Sequence, residues 1–144
     1  MKCILWLILL INMFHIAILK ACQLPESLVG KRILLHVYGL AAETNPLADN
    51  IVMMHFNQRD YQVMILDTGK KSVGTYSYQR YEFDLAELRI KENVSSEGKT
   101  VMADYTNTFV CQSDTSGLYI FNGIEGTAYP QYWQHSGRYF IQSH

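Results

Sequence analysis

Between Arg32 and Gln142 the chain is written in short apolar stretches with a period of two. Leu85–Lys91 is the cleanest: Ala86, Leu88 and Ile90 fall on one face, and Glu87, Arg89 and Lys91 on the other. Strict alternation over a short segment is the pattern of a half-buried strand, whereas an amphipathic helix needs spacings of three and four over a longer run. The same reading places strands over Arg32–Gly39, Ile51–Phe56, Tyr61–Leu66, Val73–Gln79, Thr100–Gln112, Leu118–Asn122 and Ser136–Gln142. Between them lie turn residues: Asn57-Gln58-Arg59-Asp60, Asp67-Thr68-Gly69-Lys70 and Ser113-Asp114-Thr115-Ser116-Gly117. Leu40–Asn50, with Pro46, reads as a loop with room for a short helical turn, Asn93–Lys99 as a hairpin loop, and Gly123–Gln134, with Pro130, as an irregular stretch. About eight or nine strands joined by short turns, with no crossover long enough for parallel pairing, predict an antiparallel meander. Closure into a barrel is favoured over a sandwich because it removes sheet edges.

One motif recurs along these strands. Val73-Gly74-Thr75-Tyr76, Ser116-Gly117-Leu118-Tyr119 and Ser136-Gly137-Arg138-Tyr139 each open an aromatic, β-branched run. The glycines are expected to turn the backbone where a Cβ would clash, and the aromatics to favour a pleated, half-buried surface.

The first residues break the pattern. Met1-Lys2 is charged, Ile4–Leu19 is almost wholly apolar, and Ala21 precedes Cys22. That order is a secretory signal peptide. The apolar run is shorter than the roughly 20 residues that span a bilayer, and Asn12 and His15 interrupt it. Residues 1–21 are therefore expected to leave, with 22–144 forming a single barrel domain. Of 12 Lys+Arg and 13 Asp+Glu, Lys2 and Lys20 go with the signal, leaving 10 against 13, a net charge of −3. No basic stripe remains, so a nucleic-acid partner is not expected.

Outside the signal, which takes Cys3, the cysteines are Cys22 and Cys111. Export permits a disulfide between them, closing a loop of about 90 residues, worth on the order of 4–5 kcal/mol by chain entropy. Leu19-Lys20-Ala21-Cys22 also resembles a bacterial lipobox, in which the cysteine would carry lipid and supply the chain's membrane contact. Asn93-Val94-Ser95 is a glycosylation sequon, meaningful in a eukaryotic secretory pathway.

Gly74-Thr75-Tyr76-Ser77-Tyr78, Ala86-Glu87-Leu88-Arg89-Ile90, Thr106-Asn107-Thr108-Phe109, Ser116-Gly117-Leu118-Tyr119 and Ser136-Gly137-Arg138-Tyr139-Phe140 follow in an order that resembles a group of small exported bacterial proteins of lipocalin-like (calycin-like) type. The resemblance covers roughly residues 73–141 and implies a barrel fold without established catalytic residues. Lipocalins carry Gly-x-Trp on the first strand; here Gly30-Lys31-Arg32 stands nearest.

Chemistry is carried chiefly by aromatics. Tyr76, Tyr78, Tyr105, Phe109, Tyr119, Phe121, Trp133 and Tyr139 lie on or near strands. An eight-stranded barrel holds either packed side chains or one small ligand, and aromatic walls with a few hydroxyls suit apolar ligands. Tyr76, Tyr78, Tyr105, Phe109, Tyr119 and Trp133 are the residues expected to line such a site; filling the core is their competing role. His36 and His55, on neighbouring strands, could meet on one face, but no metal-ligand spacing is present. Asp104 is the acid with a mid-strand position, placed most simply on the solvent face with Thr106 and Thr108. Gly-x-Ser-x-Gly and Gly-rich phosphate loops are absent, and no cofactor is expected. The chain thus reads as an exported, non-enzymatic binding protein for a small hydrophobic ligand or a partner of its aromatic strands. The alternatives are a small-barrel cyclase or isomerase using tyrosines and Asp104, and a lipid-anchored envelope protein.

Overall fold

A computed structural model describes residues 21–43, 45–96, 99–126 and 133–143. The proposed signal peptide therefore lies outside the described residues, apart from Ala21. Eight antiparallel strands form a closed barrel in simple chain order: β1 (Lys31–Val37), β2 (Ile51–Phe56), β3 (Asp60–Ile65), β4 (Lys71–Arg80), β5 (Leu85–Ser96), β6 (Lys99–Ser113), β7 (Ser116–Gly126) and β8 (Gln134–Ser143). The ring closes where β8 pairs with β1, from Lys31↔Ser143 to Val37↔Gly137. Every strand thus has two neighbours, and no backbone edge is left to pair with another chain.

The alternation seen in the sequence is the inside–outside pattern of the wall. Ala86, Leu88 and Ile90 are fully buried in the barrel, and Arg89 and Lys91 are exposed. Three stretches differ from the expectation. β5 and β6 run on through Ser95↔Thr100 and Ser96↔Lys99, so Asn93-Val94-Ser95 belongs to a strand rather than a loop. β7 extends to Gly126, with a register shift opposite Asp104/Tyr105 that absorbs one residue, which is why the period of two fades there. The Leu40–Asn50 connection is built of turns, with Ala42 bridging Asn45, and its described residues form no helix.

The repeated glycines lie inside strands, not at turns. A Cβ on Gly74, Gly117 or Gly137 would stand well under 3.0 Å from a carbonyl oxygen of the neighbouring strand, that of Lys91, Val110 and His36 respectively. Each is also covered by a tyrosine ring: Tyr61 over Gly74, Tyr139 over Gly117 and Tyr119 over Gly137, with Cε1 2.7–2.9 Å from where the Cβ would be. In the register these are direct cross-strand pairs, Tyr61↔Gly74, Gly117↔Tyr139 and Tyr119↔Gly137. The second and third motif copies are therefore reciprocal, each glycine receiving the other's tyrosine. Glycine permits the close approach that bends the sheet into a tube, and an aromatic from the next strand shields the bare backbone.

One end of the tube is plugged by the segment before β1. Leu24 and Leu28, 2% and 1% exposed, join the core cluster that also contains Phe56 and Phe109. The Leu24 amide donates to the Phe83 carbonyl at 2.8 Å, and the Gly30 amide to the Phe56 carbonyl at 2.9 Å. Arg80 Nη1 donates to the Leu24 carbonyl at 2.9 Å while Nη2 pairs with Glu26 at 2.9 Å. A disulfide joins Cys22 to Cys111, 89 residues on, and fixes the plug to the end of β6. The Cys22 sulfur so engaged has no valence left for a thioether-linked lipid.

Candidate functional site

The end of the barrel opposite the plug holds a cavity of about 810 Å³. Its wall is assembled by alternation: Leu35 and Val37 from β1, Val52 and Met54 from β2, Val63 and Ile65 from β3, and Tyr119 and Phe121 from β7 point into it. Pro46, Leu47, Thr68, Lys70 and Lys71 form its mouth, drawn from the β1–β2 and β3–β4 connections and the start of β4.

Rings make one side of the wall. Phe121 stacks on His135 with centroids 4.5 Å apart and planes 5° from parallel. Trp133 lies 5.1 Å from Phe121, and Tyr105 lies 4.9 Å from it. Tyr119 meets His135 edge-on at 5.8 Å. Burial pushes the Tyr119 hydroxyl well above its usual range, so it stays protonated. The same desolvation lowers His135 to about 4.

The His135 shift has a consequence for stability. The folded state favours neutral imidazole, while the unfolded chain takes up a proton near pH 6.5. Stability from this residue is therefore complete above pH 6.5 and is lost as pH falls towards 4. Because solvent reaches part of the ring, the loss is expected to be on the order of 1–2 kcal/mol. Urea unfolding at pH 7, 5.5 and 4 should give a steeper fall for the native chain than for His135→Phe; parallel curves would remove His135 from the account.

A polar cluster interrupts the apolar wall. Glu92, 4% exposed, points inward from β5 and lines the cavity. The Ser72 hydroxyl donates to Oε1 at 2.6 Å, the Tyr105 hydroxyl donates to Oε2 at 2.8 Å, and the Tyr61 hydroxyl donates to the same Oε2. The two tyrosine oxygens stand 3.2 Å apart. Gly74 makes this possible, because a side chain there would displace the Tyr61 ring from its course to Glu92. Further towards the plug, Asn107 is 1% exposed and also lines the cavity; its Oδ1 has no hydrogen-bond partner among the described residues.

Of the six residues expected to form the site, Tyr105, Tyr119 and Trp133 do line the cavity. Tyr76, Tyr78 and Phe109 also point inward, but outside the cavity lining, in the packed half of the barrel. The Tyr76 hydroxyl donates to the Asn57 carbonyl at 2.7 Å in the β2–β3 turn. The Tyr78 hydroxyl, pushed up to about 12 by burial, donates to the Pro25 carbonyl at 2.8 Å in the plug. Phe109 packs against Tyr139 at 5.0 Å. Alternation assigns a residue to a face, not to a height in the barrel, and these three fell at the packed end.

Asp104 stands on the outer face, where both its oxygens accept from Arg89, at 3.0 and 2.7 Å. It is therefore removed from the cavity, and a catalytic role drawn from an inward Asp104 has no geometric basis. His36 and His55 share the outer face without meeting: His36 pairs with Ile51 and His55 with Arg32, at opposite ends of the β1–β2 ladder. No group of three or more His, Cys, Asp or Glu that could hold a metal occurs among the described residues. Glu92 is the inward acid that the sequence reading passed over, by stopping the alternation Ala86, Leu88, Ile90 one step short. Comparison with protein-family models, with characterised proteins and with solved structures yields no match for this chain.

Proposed function

We propose that this chain is an exported, non-enzymatic binding protein that holds one small, largely apolar ligand inside the barrel. The observation that carries the reading is the 810 Å³ cavity, walled by Tyr105, Tyr119, Phe121 and Trp133 and containing a few buried polar groups. That size and make-up match small-molecule sites, which span roughly 300–1,000 Å³ and combine an apolar lining with a few fixed polar atoms. A mouth formed by loops gives a ligand a way in, while the plug closes the other end. The signal-like residues 1–21 and the Cys22–Cys111 disulfide support export to an oxidising compartment. A lipocalin-like mode of binding within the tube agrees with the strand motifs.

Trp6 and Trp133 are the chain's two tryptophans, so a protein starting at Ala21 carries Trp133 alone. Its emission reports directly on the cavity. Titration of that protein with the neutral apolar dye N-phenyl-1-naphthylamine is expected to give saturable, one-to-one energy transfer from Trp133. Leu35→Trp, which puts a large ring into the cavity wall, is expected to abolish it. Absence of saturable binding, or binding untouched by Leu35→Trp, would refute a ligand site inside the barrel.

A further inference from the structure

Resting on that reading, the chemistry around Glu92 narrows the ligand class. A carboxylate has about four acceptor positions. In Glu92 three are taken by hydroxyls: one on Oε1 from Ser72, two on Oε2 from Tyr61 and Tyr105. None of these partners is a cation, and Lys70 and Lys71, which line the cavity, stand exposed at its mouth. A buried carboxylate is costly unless it meets both hydrogen bonds and a counter-charge. Here the hydroxyls supply the first and fix the group in place, and among the described residues no cation pairs with Glu92 to supply the second.

The remaining walls suit a counter-charge brought by the ligand. Tyr105, which donates to Glu92, also packs against Phe121, and Phe121 against Trp133. Aromatic faces attract organic cations, the more so when water is excluded. Asn107 offers a second buried acceptor, its Oδ1 unpartnered among the described residues. It lies opposite Leu88, four positions along β5 from Glu92. Glu92 and the Asn107 Oδ1 thus put acceptors in the buried part of the cavity, and an anionic head group placed beside them would face the Glu92 charge.

We infer that the cavity selects a small organic ammonium ion, with its charged nitrogen on the free Oε1 position of Glu92 and its apolar body against Phe121 and Trp133. Asn107 accepts a further donor where the ligand carries one.

Three probes of one skeleton test this on the protein that starts at Ala21: tyramine, its neutral alcohol analogue 2-(4-hydroxyphenyl)ethanol, and the acid 3-(4-hydroxyphenyl)propionate. Binding is read by Trp133 emission and by calorimetry. Tyramine is expected to bind at least tenfold tighter than the alcohol, and the acid weakest. Glu92→Gln keeps the shape and can still meet the three hydroxyls; it should lower tyramine affinity by roughly 10–100-fold and leave the alcohol nearly unchanged. Equal binding of the three probes, preference for the acid, or no binding of tyramine overturns the inference. If the variant does not fold, the order of the three probes on the native chain still decides. Uptake of the naphthalene dye without preference for the amine would sink the ammonium assignment and keep the binding barrel, whereas failure of every compound would sink both.

Discussion

Gly137→Val is expected to leave the protein largely unfolded at room temperature. The inward Cβ at this position would fall well under 3.0 Å from the His36 carbonyl oxygen and 2.7 Å from Tyr119 Cε1. Neither neighbour has room to retreat. His36 is held in the β1–β8 ladder that closes the barrel, and Tyr119 is fully buried with its ring across the glycine. The added side chain must either open the seam between the first and last strands or expel a core tyrosine. Either costs more than about 4 kcal/mol, a large part of the roughly 5–15 kcal/mol that holds a domain folded. Gly117→Val should behave alike, since it meets Val110 and Tyr139 in the same way. Gly123→Ala is the control: its Cβ would meet nothing closer than 3.5 Å, from the Trp133 carbonyl. It should change stability by less than about 1 kcal/mol. Thermal melts followed by near-ultraviolet circular dichroism separate these outcomes. A cooperative melt for Gly137→Val within a few degrees of the native chain would show that the close approach is not needed.

These glycines also mark how far the sequence could be read. Their recurrence before tyrosines predicts an all-β protein, as the barrel shows, but the local pattern does not reveal their role. Read locally, glycine suggests a turn; in the barrel, Gly117 and Gly137 work through partners on adjacent strands. That pairing is a property of register, which no single strand contains. The wall was more legible. Alternation through β5 placed Ala86, Leu88 and Ile90 inside, and the same rule extended by one step would have found Glu92. Tyr105, Tyr119 and Trp133 are legible as wall residues because the inner face is mostly apolar and aromatic. The same pattern points to Tyr76, Tyr78 and Phe109, because nothing in it says which end of the tube is filled. That is decided by Leu24 and Leu28, in a short segment whose apolar residues are too few to display a period. His135 and Asn107 carried no signal of their own, since a single polar residue on an apolar face reads the same whether it packs or binds.

The plug also sets the second large effect, which acts on the other side of the folding equilibrium. Removing the Cys22–Cys111 bond by Cys22→Ala with Cys111→Ala, or by reduction, is expected to lower stability by about 2–5 kcal/mol. The bond closes a loop spanning 89 positions, so its loss releases much of the unfolded chain's confinement. The native barrel has less reason to change. Leu24 and Leu28 remain buried, and the Leu24 amide and carbonyl keep Phe83 and Arg80 as partners. Two measurements distinguish this from simple damage to the core. The denaturant dependence of unfolding should steepen in the bond-free protein, because its unfolded state is more open and exposes more surface. Emission from Trp133, in the wall of the far-end cavity, should be the same in both folded forms. A fall in stability with an unchanged slope and an altered Trp133 signal would instead mean that the bond holds the native barrel in shape. No fall at all would mean that the plug's apolar and backbone contacts suffice. On the expected outcome, the barrel gains a large part of its margin only where the bond can form. That ties its stability to an oxidising compartment, which agrees with the proposed export.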